Sequence, residues 1–441
     1  MTNTVQPNVI WVLTDQQRAM MLSCNGDPNV HTPNIDALAD MGVNFTRAVS
    51  GYPLCCPFRG SMLTSRYPHE CVPGHEYRMP PEMPTIADVF NENGYHTAYF
   101  GKWHLDGFHE REGRAALHTV PPERRGHFQQ WVGYENNNSQ YDCWVHGGQG
   151  ETAFCRRLPG YETDCLTDLL LEHLEERAAA KTPFFAVLSV QPPHDPYLAP
   201  PEYMARFNPQ TLRMRENVPH IPALEERARR EYAGACAMVE NMDWNMGRIR
   251  NKLWETGLAE NTHILFFSDH GDMHGSHGMF LKTHPYEESL RIPFVIGGAS
   301  HYTGVTRARV DYPINHVDIA PTTLGLCGIR PPAWMQGTDY SAARLGGTVQ
   351  NAPDSAYIQK NVETPTGYGT QFPWRGIVTR DGWKYVCLAG TPYLMFNLNE
   401  DPLEQHNMAL NSFFSEKRRE LNERLRRWVE ETGDDFPLPK L

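Results

Sequence analysis

The sequence predicts an α/β protein: a mostly parallel, doubly wound sheet flanked by helices, with a smaller C-terminal antiparallel sheet plus helix. Three observations predict it. Short, continuous apolar runs alternate with stretches of helical spacing, the pattern of a parallel sheet covered on both faces. Several of these runs end directly in ionisable residues. From about residue 353 the pattern changes to short strand-like pieces split by turn residues and closed by a charged amphipathic helix.

Residues 8–13 are an apolar run of strand length, followed at once by Thr14-Asp15-Gln16-Gln17. An acid at the carboxyl end of a buried strand is where open α/β sheets place their sites. Residues 32–39 combine helix-start chemistry with helical spacing. Residues 85–90 predict a helix closed by Gly94, residues 96–100 a strand, and Gly101-Lys102-Trp103-His104 the end of that strand. From about 105 to 162 the chain is rich in Gly, Asn, His and Arg and lacks periodicity, which predicts a long excursion over the sheet edge and a source of ligand contacts. Residues 164–180 read as a helix, 184–190 as a buried strand ending in Gln191-Pro192-Pro193-His194-Asp195, and 224–256 as a long helix. Residues 263–267 are a strand ending in Ser268-Asp269-His270-Gly271-Asp272, and 292–296 are one more. In the C-terminal part, residues 376–379, 383–387 and 393–396 read as short strands and 415–431 as the closing helix, set to pack on the small sheet or to pair with another subunit. The division falls at residue 352, with 1–352 the main α/β domain and 353–441 a small α+β subdomain.

The formal net charge of −12 argues against nonspecific nucleic-acid binding. Ten cysteines scattered over 441 residues are not a disulfide framework. The N-terminal residues lack a basic and apolar leader pattern, and the apolar runs are far too short to span a membrane. These features predict a cytoplasmic protein with no membrane partner, a mature secreted or periplasmic chain being the alternative.

The most informative stretch is Cys55-Cys56-Pro57-Phe58-Arg59-Gly60-Ser61-Met62-Leu63-Thr64-Ser65-Arg66. Pro is favoured in the first helical turn, so Cys55 is expected at a helix N-terminus, facing unpaired N–H groups. Arg59 would lie one turn on and could point back to the same spot. A nucleophile beside a positive pocket suits chemistry on an anion. The parallel sheet also brings four strand ends to one edge: Asp15-Gln16, Lys102 with His104, His194, and Asp269-His270. Each alone is equally a cap, a turn or a surface residue. Together Asp15, Gln16, Asp269 and His270 supply three oxygen groups and one imidazole, a set suited to a hard divalent ion such as Ca²⁺, or Mn²⁺ given the histidine. Tyr141, Trp144, His146, Tyr368 and Trp374 are candidates to line a pocket, or else ordinary rim packing.

The stretch at Cys55 resembles the signature of the formylglycine-dependent sulfatases, with Cys55, Pro57, Arg59, Leu63-Thr64 and Arg66 matching and Phe58 and Ser65 departing from it. The resemblance extends to Gly94-Tyr95-His96-Thr97 through His104, to Ser268 through Arg291-Ile292-Pro293, to His316 through Thr322, and to Asn397-Leu398-Asn399-Glu400-Asp401-Pro402. It implies an alkaline phosphatase-like fold and a sulfuric ester hydrolase of arylsulfatase type cleaving an aryl, alkyl or sugar sulfate. Cys55 would be converted to formylglycine by a formylglycine-generating enzyme. One hydroxyl of its gem-diol would attack sulfur, and collapse of the hemiacetal would restore the aldehyde. Asp15, Gln16, Asp269, His270 and the modified Cys55 would hold one divalent ion, Ca²⁺ or Mn²⁺. Arg59, Lys102 and Lys282 would neutralise charge, His104 would assist hemiacetal collapse, and His194 with Lys282 would protonate the leaving oxygen. Gln16 and His270 depart from the Asp-Asp and Asp-Asn pairs of many members; Gln at the first place also occurs in relatives resembling phosphonate monoester hydrolases, which usually lack the Lys-x-His pair that this chain keeps in Lys102 and His104. Hydrolysis of phosphonate monoesters or phosphodiesters is therefore the alternative. A non-catalytic anion-binding protein with Cys55 left as thiol is the alternative of another class.

Overall fold

The computed structural model describes residues 6–300, 305–364 and 369–441. Among them, β1 (Asn8–Thr14), β2 (Val43–Phe45), β3 (His96–Lys102), β4 (Gln130–Tyr134), β5 (Trp144–Gly147), β6 (Phe154–Arg157), β7 (Phe184–Ser189), β8 (Thr262–Ser268), β9 (Phe294–Gly298) and β10 (Ala308–Val310) form one sheet. Its order is β10-β2-β9-β8-β1-β7-β3-β4-β5-β6. The central strands β8, β1, β7, β3 and β4 run parallel. The helices are α1 (Pro33–Asp40), α2 (Cys55–Thr64), α3 (Ile86–Glu92), α4 (Glu162–Ala180), α5 (Pro201–Met204), α6 (Pro222–Glu255), α7 (Glu287–Leu290), α8 (Ile319–Leu326), α9 (Ser341–Leu345) and α10 (Ser415–Glu431).

The unbroken apolar runs follow from burial on both faces. Along β1, Val9, Trp11 and Leu13 enter one core with Phe58 and Met62 of α2 and Phe90 of α3. Ile10 and Val12 enter the other, with Leu38 of α1, Leu170 of α4 and Met246 of α6. Strands β7 and β8 split in the same way, Phe185 and Leu265 to the first core and Ala186 and Ile264 to the second. Period-2 alternation assigns successive side chains to opposite helical layers, so both alternating sets along the strand centres are apolar.

Two expectations need correction. Strand β9, expected within the parallel set, runs antiparallel to β8. The aperiodic region from 105 to 162 is not a bare excursion, for β4, β5 and β6 extend the sheet there. These strands have only four or five residues, and all four of β6 are exposed, so they carry little hydrophobic signal.

The C-terminal strands β11 (Ser355–Lys360), β12 (Trp374–Thr379), β13 (Trp383–Leu388) and β14 (Thr391–Asn397) form an antiparallel sheet. Helix α10 packs on it: Leu421, Leu425 and Val429, one stripe at four-residue spacing, meet Tyr357, Ile377, Tyr385 and Met395. The opposite face of the sheet meets Val49 and Leu290 of the larger sheet's connections. All ten cysteines are free. Among the described residues no helix is long and apolar enough to cross a membrane.

Gly101, on β3, faces the β7 backbone at Ser189. Its φ is +107°, and a Cβ there would lie 1.9 Å from the Ser189 carbonyl oxygen. Gly101→Ala is expected to cost at least about 2 kcal/mol, because backbone rather than a flexible side chain must yield. Equilibrium urea unfolding measures this, and a cost within experimental error would show that the two strands can part locally.

Candidate active site

Strand register brings the site together. Thr14 pairs with Ser268, Leu13 with Ser189, and Gly101 with Ser189. The next residues along each strand, Asp269, Asp15 and Lys102, therefore emerge at one level of one edge. His194 follows β7, and the N-terminus of α2 delivers Cys55 to the same place. Helix α2 has no side-chain cap at Leu54, and all ten of its residues are buried. Its first N–H groups and positive dipole end are thus held inside the protein at Cys55.

The structure brings Asp15, Cys55, Asp269 and His270 into one buried cluster, with one ligand-competent atom from each lying within 4.8 Å of the others. Cys55 Sγ lies 3.6 Å from Asp15 Oδ1 and 3.2 Å from His270 Nε2. His270 Nδ1 is 3.0 Å from the Gly271 carbonyl. A carbonyl can only accept, so Nδ1 carries the proton and Nε2 presents its lone pair to the cluster. Burial lowers the His270 pKa and keeps the ring neutral. Asp269 Oδ1 accepts from the backbone N–H groups of Gln16, at 3.0 Å, and His270, at 2.9 Å. Asp269 Oδ2 is buried and accepts no well-aligned hydrogen bond, its close neighbour being the Arg59 guanidinium at 3.2 Å. Two carboxylates and one imidazole lone pair, beside the Cys55 position, fit a hard divalent cation.

Arg59 stands between the two acids. Its guanidinium lies 3.1 Å from Asp15 Oδ2 and 3.2 Å from Asp269 Oδ2, all fully buried, and its other arm donates to Ser189 Oγ and the Lys102 carbonyl. Lys102 Nζ also reaches Asp15 Oδ2, at 2.7 Å. Burial would raise the Asp15 pKa, but Lys102, His194, Arg59 and His270 outweigh it and hold Asp15 well below the usual carboxylate range. Asp269 goes the other way. Burial, then the neighbouring Asp15 charge, push it up to about 7.

A second group stands beside the first. Lys282 Nζ lies 2.6 Å from His194 Nε2 and 2.7 Å from Gln16 Oε1. His194 Nδ1 donates to the Asp195 carbonyl at 2.7 Å, so Nε2 accepts from the ammonium. Burial, then Lys282, push the His194 pKa down to about 4. Burial opposes the Lys282 charge, but Cys55, Asp15, Asp195 and Asp269 outweigh it and raise its pKa. The shared proton therefore resides on Lys282. Gln16 Nε2 donates to Asp272 Oδ2 at 2.6 Å, so both ends of its amide are engaged. Asp272 Oδ1 also accepts from the N–H of Leu281, at 3.0 Å.

His104 is buried, with Nδ1 unpartnered and its ring edge-on to His75 at 5.3 Å. Burial, then Lys102, hold it well below the usual histidine range. The φ angles of Gln16, His104, Leu281 and Thr283 are all left-handed, at 67°, 58°, 62° and 69°. Backbone in this region is held there by its surroundings and gathers at functional sites.

Sequence reasoning missed Ser189, which orients Arg59, and Asp272 with Tyr197, whose hydroxyl donates to Asp272 at 2.6 Å. Asp272 stood in view in the run after β8, whereas Tyr197 gave no local signal. The aromatic candidates fare differently. Trp144 and His146 belong to β5, where His146 Nε2 accepts from the Val120 N–H, and Trp374 is buried in β12. Tyr368 lies outside the described residues. Of the four that are described, Tyr141 is the exposed one.

A family model described as sulfatase matches residues 7–329, and one described as N-sulphoglucosamine sulphohydrolase, C-terminal, matches residues 275–431. The ulvan-active sulfatase of Formosa agariphila is 35% identical over 451 residues, covering 98% of this chain and 82% of the relative. The yidJ sulfatase of Bacteroides fragilis superposes with a TM-score of 0.87 at 26% identity, covering 99% of this chain and 98% of the other. A structure of BT4656 with its substrate D-glucosamine-2-N,6-O-disulfate superposes with a TM-score of 0.85 at 22% identity, covering 98% and 99%.

Cation binding is expected to displace the Asp269 proton. In the cation-free protein Asp269 stays protonated up to about pH 7, whereas coordination needs the carboxylate. Affinity for Ca²⁺ should therefore fall as pH drops below about 7, by up to about tenfold per pH unit. Calorimetry in buffers of different ionisation enthalpy counts the released proton. An affinity flat across that range would place the titrating group elsewhere.

Proposed function

The chain belongs to the sulfatase family and is a sulfuric ester hydrolase, and we propose that it cleaves the sulfate monoester of a small sulfated sugar with Cys55, converted to formylglycine, as nucleophile. One observation carries the reading: Cys55 stands at a buried helix N-terminus, in contact with Asp15 and His270. A relative named for activity on ulvan and a structural neighbour holding a disulfated glucosamine support a sugar sulfate as substrate.

Asp15, Asp269 and His270, with the Gln16 amide oxygen turned from Lys282, would hold Ca²⁺, and the modified Cys55 side chain would complete the set. Bound there, the ion supplies Lewis-acid polarisation of a sulfate oxygen, and the aldehyde hydrate supplies a hydroxyl nucleophile. The rest is done by the chain's own side chains. Asp15 stays ionised, so its Oδ1 is available to ligate the ion, while Arg59 and Lys102 hold its Oδ2. Lys282 and His194 act as one acid. The ammonium keeps the proton in the ground state, His194 Nε2 orients it, and the pair delivers it to the leaving oxygen. Gln16 keeps its Nε2 tied to Asp272 while its oxygen serves the ion, which leaves the ammonium to be oriented by His194. His104, held neutral, is free to take the hydroxyl proton when the hemiacetal collapses. Gln16 also suits phosphonate monoesters as secondary substrates, and rate ratios for matched sulfate and phosphonate esters rank the two.

The mass of the tryptic peptide from Ala48 to Arg59 tests the nucleophile directly. Replacement of the Cys55 sulfur by an aldehyde oxygen is expected, whereas an unmodified thiol in active protein would overturn the reading. Lys282→Ala should lower kcat for an alkyl or sugar sulfate by about 10²–10⁴-fold. The loss should be far smaller for an aryl sulfate whose leaving group needs no proton. Equal losses on both would assign Lys282 to sulfate binding instead.

A further inference from the structure

A second cluster of metal-competent side chains lies outside the oxygen-rich one. Cys56, His75 and His104 each offer a ligand atom within 4.8 Å of the other two. Cys56 follows Cys55 in the first turn of α2 and is fully buried. Its sulfur lies 3.8 Å from His75 Nδ1. On the far side of the His75 ring, Nε2 lies 3.8 Å from Glu76 Oε1. A histidine with one nitrogen on a sulfur and the other toward a carboxylate has the arrangement of a metal ligand with its outer partner. His104 adds a buried imidazole whose Nδ1 has no hydrogen-bond partner. Burial lowers the pKa of both imidazoles, the lone-pair state that a metal requires.

We propose that Cys56, His75 and His104 form a second, inhibitory metal site for a borderline ion of the Zn²⁺ type. One thiolate and two imidazoles are the donors such an ion prefers, and three protein ligands leave a fourth position open to water. The oxygen-rich cluster selects hard ions, so the two sites discriminate by ligand type. Ligand atoms around tetrahedral zinc are about 3.3–3.8 Å apart given its bond lengths; Cys56 Sγ and His75 Nδ1 already stand 3.8 Å apart, and no pair in the cluster is more than 4.8 Å apart, so the closure needed is at most about 1.5 Å. His75 can supply that movement, because its side chain is 42% exposed. It also gives the ion a route in from solvent. On binding, the Cys56 S–H bond breaks, an S–metal bond forms and the proton passes to solvent. Occupation withdraws His104 from hemiacetal collapse; this inhibitory consequence, unlike the binding itself, rests on the function proposed above.

The test uses the full-length protein with Ca²⁺ in excess. Zn²⁺ is titrated against turnover and by calorimetry, and Co²⁺ serves as the absorbing probe. Wild type should lose turnover on Zn²⁺ addition and show a thiolate-to-cobalt charge-transfer band. His75→Gln, a surface change, should keep its basal turnover and raise the half-inhibiting Zn²⁺ concentration by at least about 100-fold, the upper end of what losing even an outer partner costs. Cys56→Ser should lose the cobalt band. Half-inhibition unchanged in His75→Gln, or a cobalt band surviving in Cys56→Ser and so belonging to another cysteine, would overturn the site. If wild type turned over no sulfate ester, the function would fail, while the calorimetric loss in His75→Gln and the cobalt band would still decide the site.

Discussion

The buried contact of Arg59 with Asp15 and Asp269 governs the geometry of the whole edge. Two carboxylates on adjacent parallel strands face one cluster, both fully buried. Without a cation between them neither would be comfortable, since removing one partner of a buried ion pair costs about 3–5 kcal/mol. Arg59 resolves this with one planar group that meets both acids and anchors its other arm on Ser189 and the Lys102 carbonyl. A lysine there would be a point charge and could not span four partners. Because Arg59 lies one turn from Cys55 on α2, the same contact fixes the helix end that presents the nucleophile.

The site divides its charge by task. Arg59 and Lys102 stabilise the ionised Asp15, and their charges are largely spent on it. Lys282 instead faces His194 and Gln16, neither of them charged. It is the cation left to serve a substrate, and the neutral histidine beside it keeps its proton available. That separation comes from opposite environments for chemically similar groups, as it does for Asp15 and Asp269, one held low and the other high by the same neighbourhood.

Backbone strain is concentrated in the same place. Leu281 and Thr283 flank Lys282, and Gln16 and His104 follow β1 and β3 in left-handed backbone. Asp272 accounts for part of how this is held: one oxygen receives the Leu281 N–H, the other the Gln16 amide and the Tyr197 hydroxyl. A single buried carboxylate thus couples two strained turns, and the side chains on them share one position.

The sequence by itself determined the alternation of strands and helices, the turn chemistry at each strand end, and the gathering of ionisable residues at one edge. These are local facts: apolar runs, helix starts and a parallel sheet suffice to place Asp15, Lys102, His194 and Asp269 together. Helix α10 was legible for the same reason, as a stripe of Leu421, Leu425 and Val429. Short edge strands such as β6 were not, because exposed residues carry no hydrophobic pattern. Only the tertiary structure decided which partner each charged group takes. Gln16 and Asp269 are 253 residues apart and meet at 3.0 Å, and no local pattern reports such a distance. That Arg59 and Lys102 close on Asp15, that Asp272 clamps Gln16, and that Cys56 lies within reach of His75 and His104 are outcomes of packing, set by the register of strands and the entry angle of α2.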